Sequence, residues 1–557
     1  MKKWAFFIIK MKKIRLLILL IGSSFLLSAQ DFGRTDSLRG FLFPERICYD
    51  VTYYHLSLNV DPEEKFIKGF TDIHFDAVKD FDIIQIDLFE NFKINRIEFE
   101  QQDLNFTREY NTVFVNFNRL VLQGENTSIK VYYEGNPRVA VHAPWDGGFS
   151  WQKDENGTDW IGVSCQGLGA SSWWPNKDHQ SDEPDSMLIS CQVPGGLQCV
   201  ANGNLRFHDL RKSSMHYNTY HWFVSYPINN YDVSLNIGDY THFSDLYVSG
   251  QDTLDLDYYV LSYNEEKARE QFQEVKPMLE CYEKFFGPYP FWEDGYALVE
   301  SPYLGMEHQS AIAYGNDYLP GYRGNTNFIA GLDFDYIIVH ETGHEWWGNS
   351  ITANDISDMW IQESFCTYSE VLFVECMYGY DAMIKYVENQ MRMVRNDKPI
   401  VGVPHVHQRG SSSDMYQKGS AVLHTIRSLI ESDSLWYDLM LSMTDHFKHQ
   451  TIDGRDVLNY INEKSGYNFD DLYEQYLYTA DLPEFQYKIV RKRGKTYLQY
   501  RWEANEKFDM PIQLRLKPNE WSWVYPNKEW QEVVLELSSK NFEIATHLFL
   551  MDVKKLN

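Results

Sequence analysis

Cysteine is scarce in this sequence. Seven cysteines stand among 557 residues, and no two of them form a CxxC pair. This excludes a small fold held together mainly by disulfides, and it excludes a zinc site built from paired thiolates. Cys191 and Cys199 flank a Pro-Gly-Gly turn, and the sequence leaves open whether they pair or remain free thiols.

Basic residues are in the minority. Lys and Arg number 51 against 79 Asp and Glu, which gives a formal charge of -28. A surface of this sign repels phosphate backbones, so we expect no nucleic-acid partner. Hydrophobic residues make up 44% of the chain, which is typical of a packed protein and not of a disordered one. The length exceeds what one core supports, so we expect two to four domains.

Long apolar runs are also lacking, except near the N-terminus. There, basic residues precede a mainly apolar run at 16–27, and the small residue Ala29 follows. This pattern predicts a secretory signal peptide over residues 1–29, with translation starting at Met1 or Met11. No later run approaches the roughly 20 apolar residues of a membrane-spanning helix. We therefore expect an exported protein, periplasmic or secreted, with no membrane span in the mature chain.

The pattern of apolar residues changes twice along the chain. Short runs with alternating polar and apolar residues, such as Tyr49–Asp61, predict strands in the first part. Helical spacing begins at Glu265, and alternation returns after the helical part. The sequence thus predicts a multidomain α+β protein with an antiparallel β domain at 40–255, a mainly helical domain at 256–481 and a small β domain at 482–557.

The stretch VHETGHEWWGNS contains two histidines four residues apart. The spacing predicts a helix over Leu332–Trp347, with Asp333 near its start. His340 and His344 then share one face, with Cβ atoms about 5–6 Å apart, so both can bind one metal ion. Glu341 flanks that face. HExxH also occurs on ordinary helices, where the glutamate is simply solvated, so a third ligand is needed.

Glu363 is the candidate for that ligand. It follows His344 after eighteen residues and lies in the next predicted helix. A short connection makes the two helices antiparallel neighbours, which places the carboxylate opposite the histidines. A catalytic zinc ion takes three protein ligands and one water, and Glu341 can accept that water's proton. Glu370 either accepts a hydrogen bond from a ligand histidine or is an ordinary polar residue.

The segments HETGHEWWGNSIT and WIQESFCTY resemble the zinc signature of the aminopeptidase N family, the gluzincin aminopeptidases. Trp346, Gly348 and Asn349 stand where the family has them. The family usually writes N-E-G-F where this chain has Gln362, the ligand glutamate and then Ser364. The ligand is kept, and its neighbours differ.

Three further stretches resemble the same family. SPYLGMEHQSAI resembles its G-x-M-E-N segment, which implies that Gly305 and Met306 lie on an edge strand that pairs with the peptide. Glu307 then holds the free α-amino group. CQGLGASSWWPNKDHQSDEPD resembles the region that sends a glutamine to the same group, which makes Gln166 a second anchor. DMYQKGSAVLHTI resembles the segment whose tyrosine, here Tyr416, stabilises the tetrahedral intermediate.

The resemblance also implies an architecture and an activity. The architecture is an N-terminal β saddle, a thermolysin-like zincin domain and a small C-terminal β domain, in a short member without the large C-terminal helical domain. The activity is hydrolysis of the N-terminal peptide bond through one zinc ion per chain. An endopeptidase with the same metal site and a non-catalytic peptide-binding relative are the alternatives.

Overall fold

The computed structural model describes residues 32–210, 217–407 and 412–557. The predicted signal peptide at 1–29 lies outside these residues. No helix among them is both long and apolar enough to cross a membrane.

The first part of the chain folds into β-sheets behind two short helices, Arg34–Gly40 and Pro44–Ile47. Its strands bury alternate residues, because successive side chains of a strand point to opposite faces. In Tyr49–Asp61, every second residue from Tyr54 to Val60 is buried. Most strand pairs are antiparallel, as predicted, but Tyr49–Asp61 pairs with Ser186–Pro194 in parallel.

These strands form three sheets. In spatial order, the largest contains Asn204–Leu210, Tyr217–Val224, Ser186–Pro194, Tyr49–Asp61, Phe66–Ala77, Asn126–Gly135, Phe92–Phe99 and Gln102–Asp103. A second sheet contains Gln198–Val200, Asn236–Gly238, Asp159–Ser164 and Gly148–Lys153. A third contains Phe81–Asp87, Thr112–Val121 and Asn105–Glu109.

A fourth sheet crosses the domain boundary that the sequence predicted between residues 255 and 256. Asp252–Leu261 runs through that position and pairs in parallel with Tyr296–Glu300. Together with its hairpin partner Tyr240–Ser249 it therefore belongs to the sheet of the helical part. The reason is its core, because Leu254, Leu256, Tyr258 and Val260 pack among residues of the helices. In spatial order the sheet contains Tyr240–Ser249, Asp252–Leu261, Tyr296–Glu300, Ile312–Tyr314 and Gly305–Met306.

Helices dominate from residue 265 to 476. They are Glu265–Gln271, Val275–Phe286, Tyr336–Gly343, Trp360–Tyr378, Tyr380–Met393, Gln417–Ile430, Asp433–Phe447, Gly454–Ser465 and Asp470–Tyr476. The strands Ile351–Ala353 and Gln450–Ile452 form a small parallel pair among them. We refer to Tyr336–Gly343 as the first site helix and to Trp360–Tyr378 as the second site helix.

The first site helix is shorter than the predicted Leu332–Trp347. Its N-cap is Asp335, two residues after the Asp333 that was expected near its start. The Asp335 carboxylate accepts hydrogen bonds from the amides of Ile337 and Ile338, at 3.0 and 3.4 Å, which satisfies amides that have no partner within the helix. At the other end, the helix stops before His344, and the chain continues in turns.

The C-terminal part is again β, in two small sheets. One contains Gln531–Val534, Lys495–Glu503, Glu484–Lys492 and Asp552–Lys555, and the other Glu520–Val524, Ile512–Lys517 and Glu543–Ile544. Buried residues of both sheets share the core of the helical part. The segment before Asp552–Lys555 adds hydrogen bonds: the Leu550 amide donates to Thr425 Oγ1 at 3.0 Å, and Tyr476 donates to the Leu550 carbonyl at 2.5 Å. The C-terminal strands thus support the helix Gln417–Ile430, at whose start Tyr416 lies.

One disulfide joins Cys281 to Cys376, and the sequence did not predict it. It connects the helix Val275–Phe286 to the end of the second site helix. Cys191 and Cys199, left open above, are both buried free thiols.

Candidate metal centre and substrate pocket

The first site helix carries His340 and Glu341, and His344 follows at its C-cap. All three side chains are buried. The second site helix carries Glu363 in its first turn. Its carboxylate Oε2 lies 3.5 Å from His344 Nε2 and 4.0 Å from His340 Nε2. The structure therefore brings the three predicted ligands together.

The two site helices approach closely at Gly343. A Cβ atom there would lie 3.1 Å from Cys366 Sγ and 3.2 Å from Ser369 Cβ, both on the second site helix. Contacts this short force neighbouring atoms to move. The glycine of the HETGH segment thus allows the histidines and Glu363 to face each other across a narrow gap.

Hydrogen bonds orient both histidine rings. His340 Nδ1 lies 2.7 Å from Glu370 Oε1, and His344 Nδ1 lies 2.8 Å from the Trp347 carbonyl. Both partners can only accept a hydrogen bond, so each ring carries its proton on Nδ1 and turns the Nε2 lone pair toward Glu363. Glu370 is itself held by the Tyr386 hydroxyl at 2.5 Å. This is the hydrogen-bonding role that the sequence left open for Glu370.

The donor set fits a zinc ion. Glu363 Oε2 is buried and makes no hydrogen bond within the described residues, which is costly unless a cation is present. Two imidazole nitrogens and one carboxylate oxygen are ligands of catalytic zinc. Bond lengths near 2 Å in tetrahedral geometry separate ligand atoms by about 3.3 Å. The distances of 3.5 and 4.0 Å are only slightly longer.

Glu341 lies beside this donor set. Burial raises the pKa of its carboxyl to about 7, which is near the value at which a general base works best. Gly305 passes directly above it: a Cβ at this position would lie 2.8 Å from Glu341 Oε1 and 2.7 Å from Ile337 Cγ2. Only a glycine leaves Glu341 this position.

Gly305–Met306 is the outermost strand of its sheet. Such an edge can accept a further strand, and an extended peptide is one. The next residue, Glu307, is buried, and burial raises the pKa of its carboxyl. The Asn349 side chain donates to the Glu307 backbone carbonyl at 2.8 Å, which ties this strand to the loop after the first site helix.

Gln166 connects Glu307 to the metal donor set. Its Nε2 donates to Glu307 Oε1 at 2.5 Å and to Glu363 Oε1 at 3.1 Å. One oxygen from each glutamate and one ring nitrogen of His344 all lie within 4.8 Å of one another. The predicted amine anchors therefore stand directly next to the predicted zinc ligands.

Tyr416 lies across the same pocket. Its ring centroid is 6.0 Å from that of His340, and burial raises the pKa of its hydroxyl, so the group remains a proton donor at neutral pH. Ser364 Oγ donates to the Met415 carbonyl at 2.7 Å. The serine that departs from the family pattern thus holds the residue before Tyr416.

The sequence missed Tyr231, which comes from the N-terminal β part. Its hydroxyl donates to Glu307 Oε1 at 3.2 Å and accepts from Gln362 Nε2 at 2.8 Å. No motif pointed to Tyr231. The available signal was Gln362, which stands where the family usually has an asparagine. A different side chain next to the ligand glutamate indicates a different hydrogen-bond partner.

All nine residues predicted for the site line one pocket of about 900 Å³: Gln166, Gly305, Met306, Glu307, His340, Glu341, His344, Glu363 and Tyr416. Aromatic side chains form one wall, where Tyr336 stacks on His340 at a centroid distance of 5.3 Å and contacts Phe328. The volume is at the upper end for ligand pockets, so the cavity is large enough for a peptide.

Residues 270–476 match the peptidase family M1 domain. Among curated relatives, aminopeptidase N of Lactococcus lactis subsp. lactis is 24% identical over 233 residues, covering 38% of this chain and 26% of that protein. Tricorn protease-interacting factor F2 of Thermoplasma volcanium is 21% identical over 334 residues, covering 56% and 41%. The chain thus spans less than half the length of these relatives.

Solved structures show the same fold. An M1 zinc metallopeptidase from Deinococcus radiodurans, crystallised as a variant with a Tyr-Ser-Ala substrate, has a TM-score of 0.64 at 20% identity, covering 80% of this chain and 98% of that one. A two-domain M1 zinc metallopeptidase variant bound to L-arginine has a TM-score of 0.61, also at 20% identity, covering 77% and 94%.

The order of a β part, a helical part and a small C-terminal β part confirms the predicted fold class. The resemblance to the aminopeptidase N family is confirmed as well. Residues 270–476 therefore match the peptidase family M1 domain, and the chain has the fold of M1 zinc metallopeptidases of known structure.

Proposed function

We propose that this protein is a zinc-dependent aminopeptidase that hydrolyses the N-terminal peptide bond of peptides with a free N-terminus, using one zinc ion per chain. The relatives support peptide hydrolysis, since aminopeptidase N and the M1 zinc metallopeptidases are named for it. The residues of the pocket support the more specific statement.

One observation carries the proposal. Gln166 Nε2 bonds both Glu307 and Glu363, and oxygens of the two glutamates lie within 4.8 Å of each other. A buried ammonium needs an opposite charge, which Glu307 supplies. Because that anchor stands next to a proposed zinc ligand, the α-amine and the carbonyl under attack must belong to the same residue, the first of the peptide. This spacing favours an exopeptidase over an endopeptidase.

His340, His344 and Glu363 would hold the zinc ion, which when bound would supply an acidic water and a Lewis acid for the carbonyl. The chain's own groups do the rest. Glu341 takes the proton of the attacking water and can pass it to the leaving amine. The Tyr416 hydroxyl donates to the oxygen that becomes negative in the tetrahedral intermediate.

Binding of the substrate is assigned to the opposite wall. The edge strand Gly305–Met306 offers backbone groups to an extended peptide, while Glu307 and Gln166 orient its α-amine. Met306 is also a candidate for the wall of the pocket that receives the first side chain. A productive pose therefore requires both the zinc set and the amine anchors.

The test compares one peptide with its N-acetylated form, using the zinc-loaded protein. We expect rapid release of the first residue from the free peptide and a loss of about 10²-fold or more on acetylation, since the buried Glu307 then lacks its partner. Removal of zinc with a chelator abolishes both rates, and added zinc restores them. Equal rates with free and acetylated peptides would point to the endopeptidase.

We also infer that the protein is exported. The predicted signal peptide at 1–29 supports this, and so does the disulfide between Cys281 and Cys376, since disulfides persist in oxidising compartments. The formal charge of -28 supports peptides over nucleic acids as partners. N-terminal sequencing of the protein from the exported fraction tests this; an intact residue 1 or 11 in the cytoplasm argues against export.

A further inference from the structure

The pocket is acidic except at one place. Within the described residues, its lining has one arginine and no lysine, and that arginine is Arg395. Four carboxylates line the same cavity: Asp146, Glu307, Glu341 and Glu363. A basic side chain in such a lining attracts an anionic group that enters the pocket.

The backbone of Arg395 is held firmly. It follows the helix Tyr380–Met393, and its amide donates to Asp414 Oδ1 at 2.8 Å. The next amide, of Asn396, donates to Asp414 Oδ2 at 2.6 Å. Asp414 is buried and stands two residues before Tyr416. Arg395 therefore belongs to the wall of Tyr416 and not to the wall that carries Glu307.

The charge of Arg395 has no partner in the described residues. Arg395 is exposed and lines the cavity, and it forms no ion pair with a described carboxylate. Arg392, three residues earlier and also exposed, pairs with Glu388 at 3.8 Å. Asp146, the lining carboxylate outside the metal and amine sites, already accepts the amides of Val141 and His142, both at 2.8 Å.

We propose that Arg395 binds a carboxylate on the leaving side of the substrate, which in a short peptide is the C-terminal carboxylate. This rests on the proposed aminopeptidase function. Glu307 neutralises the ammonium at one wall, and Arg395 neutralises the carboxylate at the other. A short zwitterionic peptide thus finds a partner for each of its charges, whereas an amidated one leaves the guanidinium unpaired. Arginine suits this task because its fork pairs with both carboxylate oxygens.

The experiment compares kcat/KM for Ala-Ala-Ala and for its C-terminal amide. We expect the parent to prefer the free acid by about tenfold, the order of a solvent-accessible charge-assisted pair. R395A brings the ratio close to one, and R395K keeps part of it, since lysine retains the charge without the fork. R392A serves as the matched control and keeps the parental ratio.

The carboxylate can come from the C-terminus or from an acidic side chain, and a third peptide, Ala-Asp-Ala amide, separates these two sources. If the parent cleaves it faster than Ala-Ala-Ala amide and R395A does not, the site is supported and also accepts acidic side chains. An acid-to-amide ratio that R395A leaves at the parental value overturns the proposal, provided that the variant keeps its circular dichroism and melting temperature.

Alanine aminomethylcoumarin, which has no carboxylate, distinguishes this failure from failure of the proposed function. A parent that cleaves it but shows no preference for the free acid overturns the Arg395 site alone. A parent that cleaves neither this compound nor the peptides overturns the aminopeptidase assignment and the Arg395 site with it.

Discussion

At the scale of single residues, three buried glutamates of the pocket differ in what their oxygens contact. Glu363 turns one oxygen to the histidine Nε2 atoms and the other to Gln166. Glu307 accepts two hydrogen bonds on one oxygen. Glu341 stands under Gly305 with its pKa raised to about 7 by burial. Identical side chains thus stand in three different surroundings, which fit the metal-binding, amine-binding and proton-transfer roles proposed for them.

Glu341→Gln separates chemistry from metal binding. The amide has nearly the volume of the carboxylate but cannot accept the water's proton, so kcat should fall by about 10²–10⁴-fold. Zinc content, measured by atomic absorption on the purified variant, should stay at the parental value because all three ligands remain. Glu363→Ala is the contrasting variant, in which zinc content and activity fall together. A Glu341→Gln protein that loses its zinc would show that the role assigned to Glu341 is wrong.

Tyr416→Phe removes one hydroxyl from the pocket. We expect kcat to fall by about 10²–10³-fold, the usual effect of deleting one oxyanion donor. Zinc content and the affinity for a metal-binding inhibitor should remain close to normal, since the ring stays in place. Steady-state kinetics and inhibitor titration measure both, and turnover at the parental rate would exclude the oxyanion role.

At the scale of elements, the pocket depends on contacts between segments that are distant in the chain. The edge strand at Gly305–Met306 lies directly above the first site helix because Gly305 has no side chain, and Gly343 lets the two site helices approach each other. The second site helix uses the residues around its ligand: Gln362 contacts Tyr231 of the β part, and Ser364 contacts the Met415 carbonyl. The helix that carries the proposed zinc ligand therefore also contacts Tyr231, which bonds the proposed amine anchor, and the segment before Tyr416.

Tyr231→Phe tests the contact between the β part and the pocket. The variant removes a hydroxyl that donates to Glu307 and accepts from Gln362, so Glu307 loses part of its orientation. We expect KM for peptides with a free amine to rise by about tenfold, the order of one buried hydrogen bond, with a smaller change in kcat. Zinc content should not change.

Tyr220→Phe is the matched control for that variant. Tyr220 is also buried in the β part, and its hydroxyl donates to the Leu197 carbonyl at 3.3 Å, outside the pocket. It should lower stability without changing KM. If both variants raise KM equally, the effect of Tyr231 is merely structural.

At the scale of the whole molecule, the helical part is supported from outside. The C-terminal part contacts the helix that follows Tyr416, through Leu550 and Thr425. The disulfide from Cys281 to Cys376 closes a loop of 95 positions that contains both site helices up to its second cysteine. The disulfide restricts the conformations of the unfolded chain, and the C-terminal contacts restrict the movement of the helix after Tyr416.

Loss of that disulfide should lower stability. Closing a loop of this length contributes about 2–5 kcal/mol, so C281S/C376S should lose a similar free energy of unfolding. Urea denaturation of the parent and the double variant measures the difference. Addition of a reductant should destabilise the parent alone, and an equal effect on the variant would mean that another bond is responsible.

Local patterns predicted much of the fold, but the predicted boundaries were wrong where tertiary packing determines them. The change of pattern predicted a domain boundary at 255/256, yet the strand Asp252–Leu261 crosses it and its partner Tyr296–Glu300 places it in the sheet of the helical part. Helical spacing predicted Leu332–Trp347, yet the cap at Asp335 shortens that helix. Alternation and spacing report which face of a segment is buried, but they do not report what that face packs against.

The sequence by itself determined the candidate ligands and their spacing, because local geometry alone turns residues four apart to one side, and the right-handed helical backbone continues through the C-cap His344. Only the tertiary structure decided that Gln166 bonds both Glu307 and Glu363, which lie 141 and 197 positions further along the chain. It also decided that Tyr231 reaches the pocket and that Cys281 pairs with Cys376. Contacts between such distant segments follow from how sheets and helices pack, and no local pattern encodes them.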